Sequence, residues 1–93
     1  MHADFSSIHN AFERAVYEAV LARAPHYPQI TEELLPDVAC VALNRVPQRY
    51  VRHSVDLAFY QTDTERIENE RSVREAVEHA FTFVQARVAM RAR

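Results

Sequence analysis

Six residues whose types can bind a ligand cluster around one proline: Asn44, Arg45, Arg49, Tyr50, Arg52 and His53, flanking Pro47. Guanidinium groups pair bidentately with phosphates and guanine edges and stack on planar rings, so three arginines here suit a charged aromatic ligand. Guanine offers O6 and N7 to one arginine fork, and a phosphate offers two oxygens to another. A guanine-containing dinucleotide uses both kinds of contact. Tyr50 adds a stacking surface, and the Asn44 amide both donates and accepts. Arg45 and Arg49 straddle the proline break, which lets their forks converge on a ligand at a helix end. The same arginines serve equally well as a structural patch, satisfied by Glu13, Asp37, Asp56 or carboxylates of the C-terminal helix.

Other chemistry is thinly represented. The chain has no glycine, which excludes phosphate-cradling glycine loops and dinucleotide fingerprints, since both need glycine for close backbone approach. Tight Asn-Gly hairpins are excluded as well. His2, His9, His26, His53 and His79 show no ligand spacing with one another or with Cys40, so no metal site is expected. Cys40, the single cysteine, lies in an apolar helical stretch and reads as a small hydrophobe. Paired carboxylates such as Glu32 and Glu33 fall at a helix start, where the dipole accounts for them. No serine sits in a nucleophile turn. The chain is expected to be non-enzymatic and to need no cofactor.

The elements that must position the cluster are mainly helical. Phe5, Ile8, Phe12, Ala15, Val16, Ala19 and Val20 recur at three- and four-residue spacing, which predicts a first helix over Ser7–Arg23, capped by Ser6 or Ser7 and ended by Pro25 and Pro28. A second helix runs from Thr31 or Leu35 to Arg45, with Pro36 in its first turn and Leu34, Val38, Val41, Ala42 and Val46 as its stripe. Between Gln48 and Tyr60 the period changes to alternation, as in a half-buried strand. A short helical turn through 54–60 is the rival reading. No other segment alternates in this way, so the strand is expected to pair with its own copy across a homodimer. A third helix spans Asp63–Ala92, opened by a capping box of Thr62 and Glu65. Its core stripe is Val73, Val77, Ala80, Phe81, Val84 and Val88, and the charge-dense stretch Glu65–Arg74 reads as a solvated face.

At 93 residues the chain is one domain, residues 1–93, small enough to gain from a second copy to pack against. A hydrophobic share of 48% argues against disorder. The net charge of −2 gives no general reason to expect nucleic acid or an anionic membrane. The apolar run Val38–Leu43 is too short to span a bilayer, and Met1–Asp4 does not open like a secretory signal. A cytoplasmic location is the expectation.

Two motifs carry a resemblance. The first is Asn10, Glu13 and Val16 at three-residue spacing. The second is Asp37-Val38 followed by Ala42-Leu43-Asn44-Arg45-Val46-Pro47 and then Arg49-Tyr50-Val51. Their order and separation resemble the late-competence ComFB family of small bacterial proteins. The resemblance implies a compact, mainly helical homodimer that acts as a non-enzymatic receptor or adaptor for cyclic di-GMP, linked to competence, type IV pili or motility, with a downstream protein partner. By motif position it implies Asn44, Arg45, Arg49 and Tyr50 as ligand-binding residues. Arg52 and His53 join them on chemistry alone. Some members of the family bind zinc through cysteines between the first two helices. Here Pro25–Thr31 contains no cysteine, so the metal is not carried over. The alternative is a ligand-free dimeric interaction module in which the arginines are structural.

Overall fold

Thr62 marks the start of the helix on which the rest of the chain is assembled. Its Oγ1 accepts the backbone N–H of Glu65 at 3.1 Å, which satisfies one of the donors a helix start leaves open. The computed structural model describes residues 1–53, 55 and 61–91. Numbered in chain order, the elements are β1 (His9–Asn10), α1 (Glu13–Arg23), α2 (Leu35–Leu43), β2 (Tyr50–Val51) and α3 (Asp63–Arg91). Replacing Thr62 by alanine should cost about 1 kcal/mol. The loss is read as a lower urea midpoint at unchanged slope; an unchanged midpoint would mean that the hydroxyl contributes nothing.

The 29 residues of α3 run for about 43 Å at 1.5 Å per residue. Val73, Ala76, Val77, Ala80, Phe81 and Val84 form its buried face, at the three- and four-residue spacing expected. Against it lie Val16 and Val20 of α1 and Val38, Ala39 and Ala42 of α2, while Phe12, Ile30 and Val46 close the ends of the core. Phe81 is fully buried and stacks on Tyr27, with ring centroids 4.5 Å apart and planes 7° apart. The Tyr27 hydroxyl donates to Glu78 at 3.0 Å, and the other oxygen of that carboxylate pairs with Arg23. One aromatic stack and one shared carboxylate thus pin the loop after α1 onto α3.

The first helix is shorter than its sequence pattern predicts. It begins at Glu13 rather than Ser7, because His9 and Asn10 are taken up in β1. Neither Ser6 nor Ser7 caps it. The buried Asn10 side chain accepts the Phe12 N–H at 3.0 Å instead, an Asx turn that aims the chain into the helix. Phe5 and Ile8, expected on the core stripe, are 70% and 49% exposed. Beyond Arg23 a single 3-10 turn, Ala24–His26, carries Pro25 at its start.

A 3-10 turn at Glu32–Leu34, with extended Thr31 before it, leads directly into α2, and Pro36 lies in the first turn of α2. Both proposed starting points therefore have a physical counterpart. The helix ends at Leu43, two residues before the expected Arg45. Cys40 is a correction: it is exposed rather than buried among apolar neighbours, because Val38, Ala39 and Ala42 supply the buried side of α2. The chain leaves the helix without any left-handed residue among those described, as a glycine-free sequence requires.

Beyond Pro47 the extended segment finds a partner within the chain, which the alternation did not reveal. Tyr50–Val51 pairs antiparallel with His9–Asn10, with His9 opposite Val51 and Asn10 opposite Tyr50. The Ala11 N–H also donates to the Arg49 carbonyl at 2.6 Å. A partner strand from another copy is thus not needed to occupy this edge. The ladder is only two residues long, and Val55 is already helical and exposed. The remainder of the alternating stretch, 54 and 56–60, and the expected last residue of the third helix, Ala92, lie outside the described residues.

Candidate functional site

The short ribbon of β1 and β2 positions Arg49. By holding the Arg49 carbonyl, Ala11 sets this arginine beside the start of α1, at the mouth of a cavity of about 320 Å³. Ala11, Phe12, Ala15 and Val73 form its apolar wall, and Arg49, Gln61, Arg66, Asn69 and Glu70 supply the polar groups. Arg66, Asn69, Glu70 and Val73 follow the i, i+3, i+4, i+7 spacing that puts side chains on one helix face. The opening turns of α3 thus present a cation, an amide and a carboxylate to the same space as Arg49.

Arg66 is only loosely held. Its nearest carboxylate oxygens, on Asp63 and Glu70, lie at 3.8 and 3.7 Å, beyond hydrogen-bonding distance. Exposed pairs of this kind contribute between nothing and about 1 kcal/mol. A ligand anion or carbonyl reaching Arg66 displaces little. The charge-dense stretch read as a solvated face therefore has one side that borders the cavity.

The remaining predicted site residues do not join Arg49. Asn44 caps the end of α2, where its Nδ2 donates to the Cys40 carbonyl at 2.9 Å. Arg45 extends across to α3 and lies 3.5 Å from His79 Nε2. The His79 ring stacks on Phe83 at 6.2 Å, and the Arg87 guanidinium lies 5.8 Å from the Phe83 centroid, within cation–π range. Arg45 thus belongs to an exposed row with His79, Phe83 and Arg87. Tyr50 is 66% exposed, and its hydroxyl donates to Gln48 at 3.2 Å. Arg52 and His53 are exposed on the chain leaving β2. Of the six, Arg49 alone lines the cavity.

Sequence reasoning missed Gln61, Arg66, Asn69 and Glu70. Their helical spacing was legible, but nothing local to α3 shows that Arg49 faces them. The structural role proposed for the arginines also gains no ion pair among the described residues. Among the described residues, Arg45, Arg49 and Arg52 form no salt bridge with Glu13, Asp37 or the carboxylates of α3; Asp56 lies outside the described residues. The Asp4 carboxyl is held below its ordinary range by hydrogen bonds from the Ser6 side chain and backbone, but it belongs to the N-terminal turn and not to the cavity. No group of three His, Cys, Asp or Glu residues among those described could hold a metal ion. No helix among them is long and apolar enough to cross a membrane.

Comparison with known families gives a match to "Late competence development protein ComFB" over residues 9–88. The matched span begins at β1, contains all six residues around Pro47 and extends through most of α3. No curated protein and no solved structure matches the chain significantly. With the two motifs, the helical architecture and a match covering most of its length, the chain belongs to the ComFB family.

Proposed function

We propose that this protein is a non-enzymatic, cytoplasmic receptor for cyclic di-GMP that acts as a homodimer on a downstream protein in competence, type IV pili or motility. The observation that carries this reading is the cavity that Arg49 and Arg66 both line, with no carboxylate hydrogen-bonded to either guanidinium among the described residues. Cyclic di-GMP presents two guanines and two phosphates, and each of these groups is a bidentate target for an arginine fork. A cavity of about 320 Å³ lies at the low end of small-molecule sites. It has room for one guanine half, with the phosphates at its mouth. Tyr50, exposed on the ribbon, and Arg52 and His53, exposed on the chain leaving it, are offered to the rest of the ligand or to a second copy.

The shape of the chain supports the dimer. Its radius of gyration is 15.4 Å, against about 12 Å for a compact domain of this length. Leu21, Ile67, Phe83 and Met90 are exposed apolar side chains. Calorimetry of the purified protein with cyclic di-GMP is expected to show saturable heat at micromolar concentrations. The absence of heat at tens of micromolar protein would remove the receptor reading. The second reading, a ligand-free interaction module, is favoured by the exposed row Arg45, His79, Phe83 and Arg87, which offers a partner protein an aromatic side chain between cations. Under that reading nucleotides leave the melting temperature unchanged.

A further inference from the structure

We propose that the groove between α2 and the C-terminal half of α3 is a docking site for an acidic amphipathic helix of a partner protein. This names the chemistry of the partner on which the protein acts; it rests on that part of the proposed function and stands whether or not a nucleotide binds. The groove shares no lining residue with the Arg49 cavity. A second cavity, of about 310 Å³, opens in it. Leu34, Val41, Val84 and Val88 give this cavity an apolar floor, with Arg87 and Arg91 along α3 and Asp37 and Cys40 along α2. Arg87 joins it to the exposed aromatic row, because its guanidinium also lies 5.8 Å from the Phe83 centroid. His79 and Arg45 continue that row toward the end of α2. Phe83 is 43% exposed, and Met90, seven residues on and so on the same helix face, is 75% exposed.

Charge decides what the groove takes. Among the described residues, Arg45, Arg87 and Arg91 form no salt bridge, and Asp37, the single carboxylate lining the cavity, pairs with neither arginine across it. The chain as a whole carries a net charge of −2, so this cationic edge is a local excess. An apolar floor edged by arginines complements an occupant with apolar anchors flanked by carboxylates. The nine residues of α2 give the groove a length of about 14 Å, or two to three turns of a docked helix. A second copy is a poorer occupant through this face, because an isologous contact brings the same arginines to both sides. Nucleic acid uses the arginines but lays a phosphate chain over an apolar floor and beside the Asp37 carboxylate.

The test uses two amphipathic helical peptides of about 15 residues, with leucines at i, i+3, i+4 and i+7 and either glutamates or lysines on the polar flanks. Binding is read by fluorescence anisotropy, and occupancy of the groove by the rate at which iodoacetamide alkylates Cys40, the exposed and single cysteine of the chain. The parent protein is expected to bind the glutamate peptide about 10-fold or more tightly than the lysine peptide, less so as salt rises, and alkylation of Cys40 should slow when it binds. The double variant Arg87→Glu, Arg91→Glu changes two exposed side chains and should invert the preference; Phe83→Ala should weaken the glutamate peptide about 10-fold. Equal binding of both peptides, or binding that leaves Cys40 alkylation unchanged, overturns the proposal. So does slow alkylation of Cys40 in a dimer of the parent alone, which makes a second copy the occupant, or protection by single-stranded DNA where neither peptide protects. Cyclic di-GMP calorimetry on the same double variant should match the parent, since neither arginine lines the Arg49 cavity. Loss of peptide binding beside intact cyclic di-GMP heat therefore removes the docking site alone.

Discussion

Replacing Arg49 by alanine is expected to weaken cyclic di-GMP binding about 10- to 100-fold, the loss that goes with a charge-assisted hydrogen-bonded pair of about 1.5–3 kcal/mol. Stability should hardly change. The Arg49 side chain is exposed and makes no ion pair among the described residues. The bond that holds β1 to this point runs from the Ala11 N–H to the Arg49 carbonyl, which alanine retains. A surface change of this kind is usually worth no more than about 0.5 kcal/mol. Arg49→Lys separates charge from geometry: it keeps the cation but lacks the planar fork, so most of the loss should persist. If the arginines hold subunits together instead, Arg49→Ala gives a different result, a shift toward monomer in sedimentation velocity with no nucleotide effect in either protein. Calorimetry and sedimentation on the same pair of proteins therefore decide between the two readings.

Phe81→Ala should have the largest effect on folding. The ring is fully buried against Tyr27 at 4.5 Å, and Tyr27 is held in turn by Glu78, which also pairs with Arg23. Removing it deletes buried apolar surface and opens a cavity where α3 meets the loop after α1. Large-to-small changes of this kind cost about 3–5 kcal/mol, a substantial part of the roughly 5–15 kcal/mol that stabilises a small domain. At about 4–8 °C per kcal/mol for a chain of this size, the melting temperature should fall by about 12 °C or more. Thermal denaturation followed by circular dichroism reads this directly, and a fall of less than about 4 °C would contradict the packing of the loop on α3. Tyr27→Phe isolates the polar part of the clamp. It keeps the stack and loses only the hydroxyl bond to Glu78, so its cost should be about 1 kcal/mol.

The parts of the fold legible in the sequence are those governed by short-range rules. Val73, Val77, Ala80, Phe81 and Val84 form the buried face of α3 because three- and four-residue spacing is itself the geometry of a helix face. Thr62 ahead of Glu65, and Pro36 in a first turn, were readable because caps and imino acids act within one turn. The failures share a cause. Asn10 looked like part of a helix, yet its side chain turns the chain into α1 while its backbone pairs with Tyr50, and a two-residue ladder has no period to detect. Cys40 was placed inside because α2 is apolar in composition, but which side of a nine-residue helix is covered depends on where α3 lies.

The sequence by itself determined the helical architecture, the exclusion of glycine-dependent sites and the identity of the arginine-rich segment around Pro47. It also carried the motifs of the family to which the chain belongs. These are properties of neighbouring residues, set by backbone sterics and by the burial of one face of each helix. Only the tertiary structure decided which arginine enters a cavity and what it meets there. Arg49 comes together with Arg66, Asn69 and Glu70 because an in-chain strand pair fixes it beside the start of α1 while the core packs α1 on α3. Arg45, four residues earlier, is directed to His79 instead. A cavity forms where distant segments are held apart at a set distance, and that spacing comes from the packing of the whole chain rather than from any local stretch of it.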